Sequence, residues 1–168
     1  MKCLDVVPQS NFKAAIKRNN PDVVISISDP QIKAPYILRL LTIPKLVLKF
    51  EDFLDADQVN APTKDHVQQI IDFALQHKGK SFVVHCFAGQ CRSSAAAIIS
   101  EVATGRPVDA IMEDLTIRYV AIHPNSLMLK YAQEILGIDF MTDYFKFDPL
   151  WRHKRAIYFG YGTHGIYH

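Results

Sequence analysis

The sequence predicts an α/β domain with a mostly parallel central sheet flanked by helices. Three observations carry that expectation. Short β-branched runs alternate with longer stretches of helical periodicity. The runs Val23-Val24-Ile25-Ser26-Ile27 and Ser81-Phe82-Val83-Val84 are almost continuously apolar, as strands covered by helices on both faces must be. The helical stretches end at glycines, Gly79, Gly105 and Gly137, where a chain can turn left-handed and stop.

Length and composition limit what such a domain can be. The chain has 168 residues, which fits a single domain with a real hydrophobic core. Apolar residues make up 49% and charged residues 21%, which excludes whole-chain disorder. Lys and Arg number 19 against 17 Asp and Glu, a net charge of +2. That balance argues against a nucleic-acid partner held by bulk charge. No apolar run approaches the ~18 residues of a membrane span. The opening MKCLDVVPQS has no long apolar core of a signal peptide. Cys3, Cys86 and Cys91 make no disulfide framework, so a reducing, cytoplasmic setting is expected, with no membrane partner.

Taken in order, the first strand is Val23–Ile27, bounded by Asn-Pro before and Asp-Pro after. A second, Lys45–Phe50, follows Pro44 and runs into Glu51-Asp52. Residues 51–61 carry four carboxylates and read as a loop. A helix starts near Pro62-Thr63, with Val67, Ile70, Ile71, Ala74 and Leu75 on one face. The strand Ser81–Val84 follows Gly79-Lys80. Residues 85–92 are a turn, and Ser93–Thr104 is a helix apolar on nearly every side, hence central. Pro107 opens the next helix, which turns Val108, Ile111, Met112 and Leu115 inward. Pro124-Asn125 caps a helix through Leu136. Asp29 and Asp148, each before a proline, read as turn formers.

The chemistry concentrates in His85-Cys86-Phe87-Ala88-Gly89-Gln90-Cys91-Arg92-Ser93. A turn between a buried strand and a buried helix leaves backbone N–H groups without internal partners. They converge with the helix dipole into an anion cradle. Gly89 lets the backbone curl so that those groups point inward. Cys86 lies at the floor, where the dipole and a nearby arginine favour a nucleophilic thiolate. The planar fork of Arg92 can grip two oxygens of a tetrahedral anion. Ser93 can hydrogen-bond the sulfur. Substrate contacts are thus expected along Phe87, Ala88, Gly89, Gln90, Cys91 and Arg92. Zinc ligation by His85, Cys86 and Cys91 is not expected, because no second ligand pair stands at zinc-like spacing, and no other metal or cofactor is implied.

The motif HCxxGxxRS is matched in full, and with it the chain resembles the dual-specificity and tyrosine phosphatase superfamily. The helix, Gly79-Lys80 and strand before the loop are similar to the segment preceding the catalytic loop in dual-specificity phosphatases. Arg118 through His123-Pro124-Asn125 is similar to their downstream R-P-x-I-x-P-N element, with Tyr119 in place of the usual proline. The resemblance covers roughly residues 20–137 and implies a phosphatase domain over residues 1–137. An aromatic, basic extension, residues 138–168, is expected to pack on it. Residues 140–168 hold nine of the 18 aromatics, and 152–168 hold three Lys or Arg (Arg152, Lys154, Arg155) and no acid.

The resemblance implies a hydrolase acting on phosphate monoesters, of protein tyrosine or dual-specificity type, through a phosphocysteine. The partner is then a phosphorylated substrate, a phosphoprotein or a small phosphate ester. The catalytic set is Cys86, Arg92, Ser93 and a general acid, with His85 and Asn125 in support. The family's acid is an aspartate on a loop after an upstream strand. Asp52 fits first, then Asp55 and Asp57. Cys-x₄-Cys-Arg-Ser is also similar to the low-molecular-weight tyrosine phosphatases, where the second cysteine can pair with the nucleophile; Cys91 stands there. Two other readings remain open from sequence. One is a non-catalytic phospho-binding module that keeps the cradle without a working acid. The other is a sulfurtransferase or arsenate reductase.

Overall fold

A computed structural model describes the backbone of residues 1–159 and the side chains of residues 1–154. The end of the basic extension, including Arg155 as a side chain and residues 160–168, lies outside the described residues. Four strands form one sheet: β1 (Lys2–Pro8), β2 (Val23–Ser28), β3 (Lys45–Lys49) and β4 (Ser81–Cys86). The order is β1-β4-β2-β3, and every neighbouring pair is parallel. The central strands are β4 and β2, and both are buried almost throughout, as their unbroken apolar runs require. The edge strand β3 keeps Lys45, Val47 and Lys49 exposed.

Helices cover both faces. On one side α1 (Phe12–Asn19) and the single turn α2 (Ile37–Leu40) bury Phe12, Ala15, Ile16 and Leu38 against Val7, Val24 and Val83. The other side holds the main core and α3 (Lys64–Gln76), α4 (Arg92–Ala103), α5 (Val108–Arg118) and α6 (Ser126–Leu136). Every residue of α4 from Arg92 to Val102 is buried, which fits its nearly uniform apolar surface. In α3, Val67, Ile70, Ile71 and Ala74 face inward, but Leu75 is 50% exposed. It lies one step, about 100°, past Ala74 and so leaves the buried stripe.

The chain begins with a strand and a helix, β1 and α1, that its composition does not advertise. Leu4 and Asp5 interrupt any simple alternation, and the pairing of β1 with β4 shifts register between Cys3 and Asp5. Tyr119, standing where the resemblance leads one to expect proline, helps hold this strand. Its hydroxyl accepts from Val6 N–H at 2.9 Å and donates to Asp5 Oδ1 at 3.1 Å.

After Gly137 the chain forms a further helix, α7 (Met141–Phe159), packed on α5 and α6. Asp148 therefore does not form a turn. Phe140, Tyr144, Phe147 and Trp151 recur at helical spacing and are all buried in the main core. Burying four such rings, at ~1.5–3 kcal/mol each, outweighs the ~3 kcal/mol that Pro149 costs inside a helix. No described helix is long and apolar enough to cross a membrane.

Candidate active site

The site stands at the carboxyl end of β4, between the ends of β1 and β2, where parallel sheets commonly bind ligands. Alternation along β4 separates its last two side chains. Cys86 joins the core on the α4 side. His85 points to the α1 face, 4.1 Å from the Phe12 ring centroid. There its Nε2 lies 2.7 Å from Ser26 Oγ on β2. Burial pushes the His85 imidazole down to about 4, so it stays neutral at physiological pH. His85 is packed behind the loop, buried between Phe12 and Ser26.

The loop itself is pinned from several directions. Gln9 N–H, just after β1, donates to Phe87 O at 3.2 Å. Gly89 has φ +70°, and a Cβ there would sit 2.3 Å from Pro8 N and 2.5 Å from Val7 C. Only glycine fits, for both conformation and space. Ser94 Oγ, in the first turn of α4, donates to Gln90 O and to Cys91 O. The backbone N–H groups of His123 and Asn125 donate to Gln90 O at 3.2 Å and Cys91 O at 3.1 Å. With those carbonyls tied outward, the loop is held in one curl above the start of α4.

Cys86 is 1% exposed, and its Sγ lies 3.1 Å from Ser93 Oγ. Arg92, the first residue of α4, is 4% exposed. Its Nη1 donates to Asp29 Oδ1 at 2.5 Å and to Phe50 O at 2.6 Å. Its Nε is buried without a hydrogen-bond partner among the described residues. One corner of the guanidinium is therefore committed to the scaffold. The adjacent edge keeps donor capacity, an arrangement suited to two oxygens of a tetrahedral anion. Phe87 is 59% exposed and stands out beside the buried cysteine.

Asp29 is a participant that the sequence did not disclose. Its carbonyl does make a turn, accepting from Ile32 N–H at 3.0 Å. Its carboxylate, however, orients Arg92. The usable signal is strand order. Asp29 directly follows β2, and β2 neighbours β4, so both ends open on one edge of the sheet. Ser26 was missed for the same reason, being the β2 register partner of His85.

The three loop carboxylates separate clearly. Asp52 accepts from Asn125 Nδ2 at 2.8 Å, and the same amide nitrogen donates to Phe53 O at 3.0 Å. Asn125 Oδ1 meanwhile caps α6, accepting from Met128 N–H at 3.0 Å. The fully buried Asn125 thus ties the Asp52 loop to the segment that holds Gln90 and Cys91. Asp55 Oδ1 accepts from Asp57 N–H at 3.0 Å and serves a local turn. Asp57 is exposed. Among the described residues, no group of His, Cys, Asp or Glu is placed to hold a metal ion.

Solved structures share this architecture. A human tyrosine phosphatase-like serine/threonine/tyrosine-interacting protein superposes with a TM-score of 0.57 at 22% identity, over 77% of this chain and 88% of its own. DUSP15 gives 0.54 at 20% identity, over 90% and 93%. The Yvh1 phosphatase domain from Chaetomium thermophilum gives 0.56 at 16% identity, over 82% and 93%. The chain has the dual-specificity phosphatase fold. No family model and no curated protein matches the sequence itself. Within this fold the loop of residues 85–93 sits between β4 and α4, and Asn125 caps α6 behind it.

Proposed function

We propose that this protein is a cysteine-dependent phosphatase that hydrolyses phosphate monoesters, of protein tyrosine or dual-specificity type, through a phosphocysteine. The observation that carries the reading is the half-committed Arg92. It is fixed by Asp29 and Phe50 O through Nη1, while its buried Nε lacks a partner beside the loop that holds Cys86. A phosphoryl group seated in the cradle would receive that edge of the guanidinium and the loop N–H groups on its equatorial oxygens.

The reaction needs two displacements at phosphorus. In the first, Cys86 Sγ attacks, an S–P bond forms and the P–O bond to the leaving group breaks. Asp52 gives its proton to the departing oxygen. In the second, water attacks phosphorus and gives a proton to the Asp52 carboxylate. The S–P bond breaks, inorganic phosphate leaves and the sulfur is restored as thiolate, with the Ser93 hydroxyl beside it to donate a hydrogen bond to the returning charge. No redox partner enters, and a reducing cytoplasmic setting would keep the thiol available.

A panel of 4-nitrophenyl phosphate and phosphotyrosine-, phosphoserine- and phosphothreonine-bearing peptides tests the reading. Wild type should turn over the aryl ester and at least one peptide. Cys86→Ser should abolish turnover while retaining tungstate binding, since the N–H groups and Arg92 do the holding. An inactive wild type that still binds tungstate would favour a non-catalytic phospho-binding module. Retained turnover in Cys86→Ser would refute the covalent route.

A further inference from the structure

We propose that His123 and Asp148 are positioning residues through which the C-terminal helix α7 holds the catalytic loop and the Asp52 loop in register. The inference deepens the phosphatase reading and rests on it for its kinetic readout. It starts from three hydrogen bonds around residues 123–125. The His123 backbone N–H holds Gln90 O, the Asn125 backbone N–H holds Cys91 O, and the Asn125 amide holds Asp52. The nucleophile's loop and the acid's loop thus share one short anchor.

That anchor is gripped from outside by a single polar cluster. His123 Nε2 lies 2.8 Å from Asp148 Oδ1 and 3.2 Å from Tyr144 Oη. The Tyr144 ring stands edge-on to the imidazole, with centroids 5.9 Å apart. Arg152 Nε donates to the other carboxylate oxygen of Asp148 at 2.7 Å. The His123 and Asp148 side chains are 14% and 11% exposed. Tyr144, Asp148 and Arg152 all belong to α7, whose rings Phe147 and Trp151, with Phe140 just before the helix, are seated in the main core. Trp151 Nε1 further donates to Thr116 Oγ1 on α5 at 2.8 Å. The helix is therefore seated by its own core and α5 contacts, and a part-buried imidazole–carboxylate contact links it to the anchor.

Such a link acts on alignment and not on substrate. Catalytic groups tolerate displacements of only about 0.5 Å. Removing the Asp148 carboxylate would leave the part-buried His123 ring without its strongest acceptor. The segment would relax, and Gln90, Cys91 and Asp52 would move with it.

The test compares Asp148→Ala, Asp148→Asn, His123→Ala and the control Leu150→Ala, an exposed α7 position. Four quantities are read for each: kcat and KM on 4-nitrophenyl phosphate, tungstate Kd by calorimetry, and Tm. Asp148→Ala and His123→Ala should lower kcat at least tenfold and weaken tungstate severalfold. KM, set largely by Arg92, should change less. Asp148→Asn, which keeps an acceptor oxygen but loses the charge, should recover part of kcat and stay at least threefold below wild type. Leu150→Ala should match wild type. If kcat and tungstate Kd stay within twofold of wild type while Tm falls, the pair is merely structural and the proposal is overturned. If the alanine variants fail to fold, Asp148→Asn decides. A tungstate Kd above wild type and a kcat below it at equal Tm support positioning, and wild-type values refute it. If the wild type shows no turnover, the phosphatase reading fails, but tungstate affinity still tests the pair.

Discussion

Replacing Arg92 by lysine tests the half-committed guanidinium most directly. The change keeps the charge and nearly the length but removes the fork. In the folded chain Nη1 serves two acceptors, Asp29 Oδ1 and Phe50 O, and the Nε edge is left over. A lysine ammonium is a single point. If it stays on Asp29 and Phe50 O, the substrate loses both guanidinium contacts. If it turns to the substrate, the Asp29 carboxylate and the Phe50 carbonyl lose theirs. A charge-assisted hydrogen bond is worth ~1.5–3 kcal/mol. Two of them, at ~1.4 kcal/mol per factor of ten, predict a loss of ~10²–10⁴ in kcat/KM. The assay is 4-nitrophenyl phosphate hydrolysis alongside tungstate Kd, with Tm to exclude unfolding. Asp29→Ala should lose less, about tenfold, because the fork survives and only its orientation is freed. An Arg92→Lys enzyme within threefold of wild type would refute the reasoning, since Arg92 would then not touch the phosphoryl oxygens.

Asp52→Asn should cut kcat by ~10²–10⁴ on an alkyl phosphate, whose leaving oxygen needs a proton, and far less on an activated aryl ester. Asp55→Asn should leave both nearly unchanged, because Asp55 is engaged in a local turn; the opposite pattern would move the acid to Asp55. The buried, neutral His85 should make stability acid-sensitive. Its folded value lies near 4, below its unfolded value of 6.5, so the unfolded chain takes up the proton first. The contribution is whole above pH 6.5 and is lost as pH falls toward 4, roughly 3 kcal/mol in all. Urea titrations should show this slope in wild type and a shallower one in His85→Gln; equal slopes would remove His85 as the cause.

How much could be read in advance follows from how local each signal is. The loop of residues 85–93 was legible because its chemistry is contiguous: strand, glycine at φ +70°, arginine at the first turn of a helix. The buried strands β2 and β4 were legible from their apolar runs, and the helices from periodicity and glycine stops, although α3 ends at Gln76, with His77 at its C-cap, before Gly79 is reached. Asp52 was legible as a residue leaving a strand, and its bond to Asn125 separates it from Asp55 and Asp57. Asp29 was not legible, because its role exists only once β2 lies beside β4 and brings residues 63 positions apart together. Nor was α7. Proline inside it and aspartate before the proline look like a turn, and only the buried spacing of Phe140, Tyr144, Phe147 and Trp151 reverses that reading. The first strand failed for a related reason, since its register shift at Cys3–Asp5 breaks the alternation by which strands are recognised.

The placement of Asn125 explains why a buried polar side chain is kept where an apolar one would pack. An N-cap needs only one acceptor, and serine, threonine or aspartate would supply it. Asparagine adds two donors to the same cap. Here its oxygen satisfies Met128 N–H while its nitrogen reaches Asp52 Oδ1 and Phe53 O. Aspartate at this position would set a carboxylate against Asp52, and serine is too short to reach it. The start of α6 is rigid because it is a helix end buried under α3 and α4, and the loop carbonyls of Gln90 and Cys91 are tied to the same backbone. Asp52 and the loop that holds Cys86 therefore share one reference frame, although 34 residues separate Asp52 from Cys86 in sequence. In the proposed reaction, an Asp52 loop anchored elsewhere would have to find that alignment anew at each turnover. Anchored through Asn125, the start of that loop is held at Asp52 and Phe53, while residues 54–60 beyond it are exposed.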